Sequence, residues 1–276
     1  MKFVDFEFDN HLLSDYGCIP CHIESTTAGL QVVDIGSKLS FSTIHFPHYN
    51  KFKISSAKYT SAYSTVIEIC KTVCGNQSDI YFSDEEISEI MRWLNRKEYK
   101  KFKTISQNGE KSNVYFMCSF NIKPIVIAEN VVGFELTMIT DSPIGYLDSI
   151  TVSLDLSTVG SQKTLHNISE EEGIIYPNIK VTCLSDGALI LTNSADTRKL
   201  IIDNCKSGEV ITIHGETKEI ESSVNHINLN NDYKYSFPRI VSKIIEGNDV
   251  NDNIFSSNIP CIVEITYTPR CKLGVI

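Results

Sequence analysis

Cysteine and histidine side chains stand near the start of the chain in a spacing that known sites use for chemistry. Cys18, Cys21 and His22 form a Cys-x-x-Cys-His pattern, which is the spacing of covalent haem attachment. A zinc site would instead need two more nitrogen or sulfur ligands. Two further pairs offer them, Cys70 with Cys74 and His45 with His48. Neither pair has the Cys-x-x-Cys spacing of zinc ribbons, so reduced core or strand cysteines are the favoured interpretation. We expect no metal and no cofactor, and metal analysis of the purified protein tests this.

The sequence has none of the familiar catalytic motifs. It contains no G-x-S-x-G elbow, no Walker loop, no G-x-G-x-x-G and no H-E-x-x-H. His166, His214 and His226 in the second half show no spacing that implies a shared site. The acidic run at 170–172 is typical of a solvated loop. We therefore predict that the protein is not an enzyme and has no catalytic residue.

Composition indicates an ordinary globular chain with an acidic balance. Its 276 residues are 42% hydrophobic, which is enough for two domains. Against 25 Lys and Arg stand 34 Asp and Glu, a net charge of -9, which is the wrong sign for wrapping DNA. No apolar run approaches the roughly 18 residues that span a bilayer, and Asp5, Glu7 and Asp9 interrupt any secretory signal. We expect synthesis in the cytoplasm and no membrane insertion.

Most of the chain shows the period-two pattern of β-strands. Residues 3–8 alternate apolar and acidic side chains, as a half-buried strand does. Residues 39–65 are rich in Lys, Ser and Tyr around Pro47, which we interpret as a long loop or an extended hairpin arm. From residue 150 onward, hairpin signals stand at Asp186-Gly187, Ser207-Gly208 and His214-Gly215. Short strands between turn residues predict a β-sandwich.

One amphipathic helix interrupts this mainly β pattern. Ser83 and Glu86 have the spacing of a capping box, in which each side chain bonds the other residue's backbone amide. Apolar residues then follow at helical spacing. They are Ile87, Ile90, Met91 and Leu94. The pattern predicts a helix over 84–95.

A basic and aromatic segment overlaps the end of this helix. Residues 92–103 carry six cations against Glu98 alone, which is typical of a solvated helix end. The interleaved aromatic residues favour an interface instead, because aromatics and Arg concentrate at contact cores. As a hypothesis, we predict a subunit interface formed by Trp93, Arg96, Lys97, Tyr99 and Phe102.

A turn-rich segment at 141–145 predicts the domain boundary. The first domain would then be 1–144, with the arm at 39–65 and the helix at 84–95, and the second 145–276. The first holds 14 basic and 17 acidic side chains and the second 11 and 17. Neither half is basic.

Eight segments spread over both halves carry a resemblance to a known family. They are Phe6–Asn10, Ser14–Gly17, Met91–Phe102, Thr140–Tyr146, Ile174–Asn178, Ser207–Ile213, Phe237–Ile240 and Ile265–Arg270. In this order they resemble the distal tail proteins of long-tailed (siphovirus) bacteriophages. None of the segments is a catalytic signature.

The resemblance implies a mainly β fold, with an N-terminal domain that forms a hexameric ring and a galectin-like C-terminal β-sandwich. It implies a structural virion protein, a baseplate hub that joins the tail tube to the tail tip and the host-adsorption apparatus. The implied partners are further copies of the chain, the tail tube protein, the tape measure protein and the tail-associated or receptor-binding proteins. The implied place is the virion tail tip, after assembly in the host bacterial cytoplasm.

The resemblance leaves two hypotheses open. DNA would only pass through the lumen of the ring, and an acidic lumen would repel its phosphates. The less acidic half is the implied ring domain, however, which weakens that idea. A carbohydrate-binding β-sandwich at the tail tip is the alternative function.

Overall fold

The period-two hydrophobic pattern forms strands over most of the chain in the computed structural model, which describes residues 3–21, 36–46, 51–72, 80–196, 198–245 and 248–272. The predicted mainly β fold is confirmed. Two units divide the chain: Met1–Tyr146 with Cys271–Ile276, and Leu147–Arg270. We refer to them as the first and the second domain. No helix in the described part of the chain is long and apolar enough to cross a membrane.

The first domain is built on one large sheet. Its strands are β1 (Phe3–Phe8), β2 (His11–Leu12), β3 (Cys18–Cys21), β4 (Leu39–His45), β5 (Phe52–Tyr59), β6 (Ser64–Lys71), β7 (Lys100–Ser106), β8 (Val114–Ile127), β9 (Asn130–Thr140) and β10 (Gly145–Leu147). The nine-stranded sheet follows the order β2-β1-β7-β8-β9-β6-β3, and β10 pairs with β8 and with β23 (Arg270–Cys271). Strands β4 and β5 lie outside this sheet and pair with each other.

Aromatic side chains form the centre of the first domain's core. The rings of Phe6 and Phe102 lie 5.2 Å apart, and those of Tyr16 and Trp93 stack at 4.3 Å. The indole Nε1 of Trp93 donates to the carbonyl oxygen of Phe8 at 2.8 Å, so this buried polar atom is satisfied. We call this group the aromatic cluster: Phe6, Phe8, Tyr16, Trp93, Phe102 and Phe120.

The helix α1 spans Asp84–Leu94 and begins as its capping box predicts. The backbone amide of Glu86 donates to Ser83 Oγ at 3.3 Å, and that of Ser83 donates to Glu86 Oε2 at 2.8 Å. Lys71 of β6 also binds the Glu86 carboxylate at 2.6 Å. The hydrogen bond from Lys71, followed by that from the Ser83 amide, lowers the pKa of Glu86. Asn95 caps the helix C-terminus, so the helix ends one residue before the predicted bound.

The second domain contains two main sheets. Its strands are β11 (Ile150–Leu156), β12 (Gln162–His166), β13 (Gly173–Ile175), β14 (Asn178–Cys183), β15 (Gly187–Asn193), β16 (Lys199–Cys205), β17 (Val210–Ile213), β18 (Ile220–Ser222), β19 (Ile240–Ile245), β20 (Asn248–Val250), β21 (Asp252–Ser257) and β22 (Cys261–Tyr267), with the short helix α2 (Leu229–Asp232). One sheet has the order β11-β22-β14-β17-β18 and the other β12-β21-β15-β16, while β13, β19 and β20 form a small third sheet.

A single apolar core joins the two main sheets of the second domain. Val181 and Val263 from the five-stranded sheet belong to the same buried cluster as Leu189, Ile202 and Phe255 from the four-stranded sheet. Two sheets that share one core in this way form a β-sandwich. The sandwich architecture predicted from the turn spacing is therefore present.

Two of the three predicted hairpins are wrong. Asp186-Gly187 joins β14 to β15, and Ser207-Gly208 joins β16 to β17, yet each pair of strands lies in different sheets. Gly208 has φ +82°, so the turn does need a glycine, but it carries the chain across the sandwich. The His214-Gly215 hairpin is confirmed, because β17 and β18 pair antiparallel.

The cap of α1 offers a direct test of this part of the fold. Ser83→Ala should lower the free energy of unfolding of the first domain by about 1 kcal/mol, because the Glu86 amide loses its acceptor. The chain's single tryptophan, Trp93, lies in this domain's core, so its fluorescence during denaturant unfolding reports this domain. Ser88→Ala, at an exposed position of the same helix, is the control and should change stability little. Equal stabilities of the two variants would contradict the cap.

Candidate functional site

Strands β4 and β5 form a two-stranded arm beside the main sheet. Their register runs from Leu39 opposite Tyr59 to His45 opposite Phe52. At the base, the Thr60 amide and hydroxyl both donate to the carbonyl oxygen of Lys38, at 2.9 and 3.1 Å. Of the two interpretations of 39–65, the hairpin arm is the one that the structure has. The arm is shorter than predicted, since β6 of the main sheet already begins at Ser64.

The register divides the arm into two chemically different faces. Opposite residues of paired strands share a face, and a bulge between Ser42 and Thr43 keeps the alternation in phase on both strands. The apolar face carries the pairs Leu39–Tyr59, Phe41–Ala57, Thr43–Ile54 and His45–Phe52. The basic face carries the pairs Ser40–Lys58, Ser42–Ser56 and Ile44–Lys53.

The apolar face is open to solvent. Phe52 is 70% exposed, Ile54 56%, Phe41 54% and Leu39 49%. Contiguous exposed apolar surface marks interaction sites in soluble proteins, and an isolated two-stranded hairpin is only marginally stable in water. The arm therefore has the properties of a segment that is completed by a partner.

The arm is also the basic part of an acidic chain. Residues 36–63 contain four lysines and no Asp or Glu, whereas the whole chain has a net charge of -9. Lys53 and Lys58 lie on the basic face. Neither they nor Lys51 makes an ion pair with another described residue. The body of the protein thus carries the acidic charge that would complement the arm.

The predicted interface residues separate into a buried and an exposed group. Trp93 is 2% exposed and Phe102 1% exposed, because both belong to the aromatic cluster of their own chain. In this fold they are not available to another subunit, which corrects their place in the predicted interface.

The other three predicted interface residues are at the surface. Arg96 forms an ion pair with Asp9 at 3.2 Å and remains partly exposed, while Lys97 and Tyr99 are exposed. The subunit interface stays a prediction that rests on Arg96, Lys97 and Tyr99.

Helical periodicity already contained the signal for the burial of Trp93. Ile90, Trp93 and Leu94 stand at i, i+3 and i+4 and are the buried residues of α1. This spacing places Trp93 on the core face of the helix, although the surrounding cations draw attention to a surface role.

The cysteine pattern near the N-terminus does not form a site in the described residues. Cys18 and Cys21 lie on β3, at one edge of the main sheet. Burial, followed by the neighbouring Cys70, raises the pKa of Cys18 to about 12, which keeps this thiol protonated at neutral pH. His22, His48 and Cys74, which the haem and zinc alternatives require, lie outside the described residues. Among the residues that are described, no three His, Cys, Asp or Glu side chains could hold a metal ion.

Two family models match the chain over almost its whole length. The model of a phage tail protein N-terminal domain matches residues 1–142, and that of a phage tail C-terminal domain matches residues 144–267. No curated protein matches the chain.

Among solved structures, the fold is similar to that of the SPP1 Dit (gp 19.1) protein. That structure's title describes Dit as a paradigm of the hub adsorption apparatus in phages that infect Gram-positive bacteria. The two share a TM-score of 0.61 at 10% sequence identity, over 97% of this chain and 99% of that chain. At this identity, the likeness shows the fold.

Two exchanges separate core from surface in the basic and aromatic segment. Phe102→Ala should lower the free energy of unfolding of the first domain by about 3–5 kcal/mol, because it leaves a cavity in the aromatic cluster. Tyr99→Ala, at a 46% exposed side chain, should change it by no more than about 0.5 kcal/mol. Denaturant unfolding followed at Trp93 measures both. A mild Phe102→Ala would contradict the burial described above.

Proposed function

Because the chain belongs to the phage tail proteins, we propose that it is a distal tail protein, a subunit of the hub that joins the tail tube to the tail tip. The family resemblance read from the sequence is confirmed by the two domain matches. The fold similarity to SPP1 Dit supports the distal position. The finer proposal is that the chain acts as a structural part of the virion and assembles into a ring.

The exposed arm is the observation that carries this proposal. Its apolar face is uncovered in the single chain, and its two strands have no further strand beside them among the described residues. Another polypeptide can cover that face and reduce the exposed apolar area, which is the main favourable term in association. A scaffold subunit needs such a surface, whereas an isolated soluble domain would aggregate through it.

Charge favours a second copy of the same chain as the partner. Each copy offers a basic arm and an acidic body, so the arm of one copy complements the body of the next. A contact between two different surfaces is heterologous, and it closes into a ring when the rotation per subunit divides a full turn. The hexameric ring is the closed form that the family resemblance implies. Arg96, Lys97 and Tyr99 are the second surface that we assign to the ring.

The remaining parts of the proposal follow from this place in the particle. The tail tube protein, the tape measure protein and the tail-associated or receptor-binding proteins are the proposed neighbours, and DNA is proposed to pass through the lumen. The hub title of SPP1 Dit supports a role in adsorption. The two packed sheets of the second domain are compatible with the galectin-like assignment, which stays a prediction together with glycan binding.

Assembly can be tested by a charge placed on the apolar face of the arm. Phe52→Asp should weaken self-association by about 2 kcal/mol or more, roughly thirtyfold, because a carboxylate must be desolvated in the contact. Light scattering gives the mass in solution, and negative-stain images show rings. The wild type should form rings, and Phe52→Asp should remain dissociated at the same concentration.

The matched control for this experiment is Val159→Asp. Val159 is 61% exposed on a turn of the second domain, so the same charge there should leave rings intact. Rings formed equally well by Phe52→Asp would contradict a role for the apolar face. A wild type that forms no ring at any concentration would contradict assembly by this chain alone.

Reversing the charge of the basic face tests the complementarity separately. Replacing Lys51, Lys53 and Lys58 together by Glu should weaken association roughly tenfold at low salt, since each exposed ion pair contributes up to about 1 kcal/mol. The difference from the wild type should shrink as salt screens the charges. Dissociation constants measured at low and high ionic strength decide this, and a deficit that does not depend on salt would refute the electrostatic part.

A further inference from the structure

His226 in the second domain lies between two carboxylates. Its Nδ1 is 2.8 Å from Glu209 Oε1, and its Nε2 is 2.9 Å from Asp232 Oδ2. The side chains of His226 and Glu209 are 6% and 0% exposed, and that of Asp232 is 15% exposed. A nearly buried imidazole thus has an anion at each ring nitrogen.

This geometry requires the charged form of His226. An ionised carboxylate only accepts hydrogen bonds, and a neutral imidazole donates from one nitrogen alone. Both contacts are favourable when both ring nitrogens carry a proton. In the neutral form, one nitrogen lone pair would face a carboxylate oxygen, and the pair of buried anions would lose its counterion.

Both carboxylates are held in place by other groups. Glu209 also accepts from Ser222 Oγ at 2.7 Å and from the Lys206 amide at 2.7 Å. Asp232 accepts from Asn204 Nδ2 at 3.0 Å. His226 therefore bridges two fixed anions, one before β17 and one at the end of α2.

The segment that carries His226 has few other anchors in the sandwich. Leu229 packs against the core, but Ile227 is 83% exposed and Val224 43% exposed. Residues 220–231 line an open concavity of about 640 Å³ apart from Tyr233's buried ring and its neighbours in the core. The position of this segment thus depends strongly on the two contacts of His226.

The electrostatics of the cluster agree with its geometry. Burial by itself would lower the pKa of His226, but the hydrogen bonds to Glu209 and Asp232 outweigh it and raise the pKa above the usual 6.5. Burial would raise the pKa of Glu209, but the bonds from Ser222 and His226 outweigh it and lower that pKa. The bonds from Asn204 and His226 lower the pKa of Asp232.

Two further ionisable groups face the cluster. Lys234 acts on Asp232 while it pairs with Asp203 at 2.9 Å. The Cys205 thiol of β16 also lies within electrostatic range of His226 and Glu209. Neither supplies a second cation that could replace His226 between the two carboxylates.

We propose that His226 is a pH-sensitive latch whose imidazolium holds residues 223–231 against the sandwich, and whose deprotonation releases them and reshapes the concavity. The folded protein binds this proton more tightly than the released segment does. The contribution of His226 is therefore complete below pH 6.5 and is lost as the pH rises through its raised pKa. At the acidic end, the latch weakens as Glu209 and Asp232 become protonated.

Hydrogen exchange of the full chain, followed by peptide mass spectrometry across a pH series, tests the latch. After correction for the intrinsic rates, peptides covering 223–231 should lose protection as the pH rises through the titration midpoint of His226, measured by NMR on its ring protons. The two observations must agree in size. Each unit by which the midpoint exceeds 6.5 corresponds to a tenfold loss of protection.

Two variants complete the design. His226→Gln stays neutral at every pH, so its segment should be weakly protected throughout and should show no pH step. His166→Gln is the control, because His166 is exposed and contacts one carboxylate, that of Asp252; it should retain the step. A midpoint at or below 6.5, or protection of 223–231 that does not change through the midpoint, would overturn the proposal. The wild-type titration decides the question even where His226→Gln does not fold.

Discussion

A two-stranded ribbon cannot cover its own apolar face, and this constraint governs how the first domain can be used. Within the described residues, β4 and β5 pair with each other and have no third strand to extend them. Phe52 and Ile54 are more than half exposed as a result. The fold therefore leaves the arm dependent on contacts from outside the chain, and its lysines favour an acidic surface for those contacts.

The body that carries the arm is stabilised in the opposite way, from within. The aromatic cluster joins β1, β7, β8 and α1, and the Trp93 indole bonds the backbone of β1 at Phe8. Burial of these large rings supplies much of the hydrophobic stabilisation of the domain. Trp93 and Phe102 are therefore spent on folding, while the arm and the exposed residues near Arg96 remain for assembly.

Local patterns predicted local structure well. The capping box at Ser83 and the alternation of 3–8 each depend on neighbours within a few residues, and both appear as predicted. The turns at Gly187 and Gly208 were placed correctly but their hairpins were not, since a turn sequence does not say which sheet the next strand joins. The latch was missed because Glu209, His226 and Asp232 meet only through tertiary folding.

The most direct test of the assembly account is a high-resolution electron microscopy map of the assembled particles. The account predicts a closed ring in which Leu39, Phe41, Phe52 and Ile54 of each arm are buried against the acidic body of the neighbouring copy. A ring in which this apolar face remains in solvent, with subunits held together elsewhere, would contradict it.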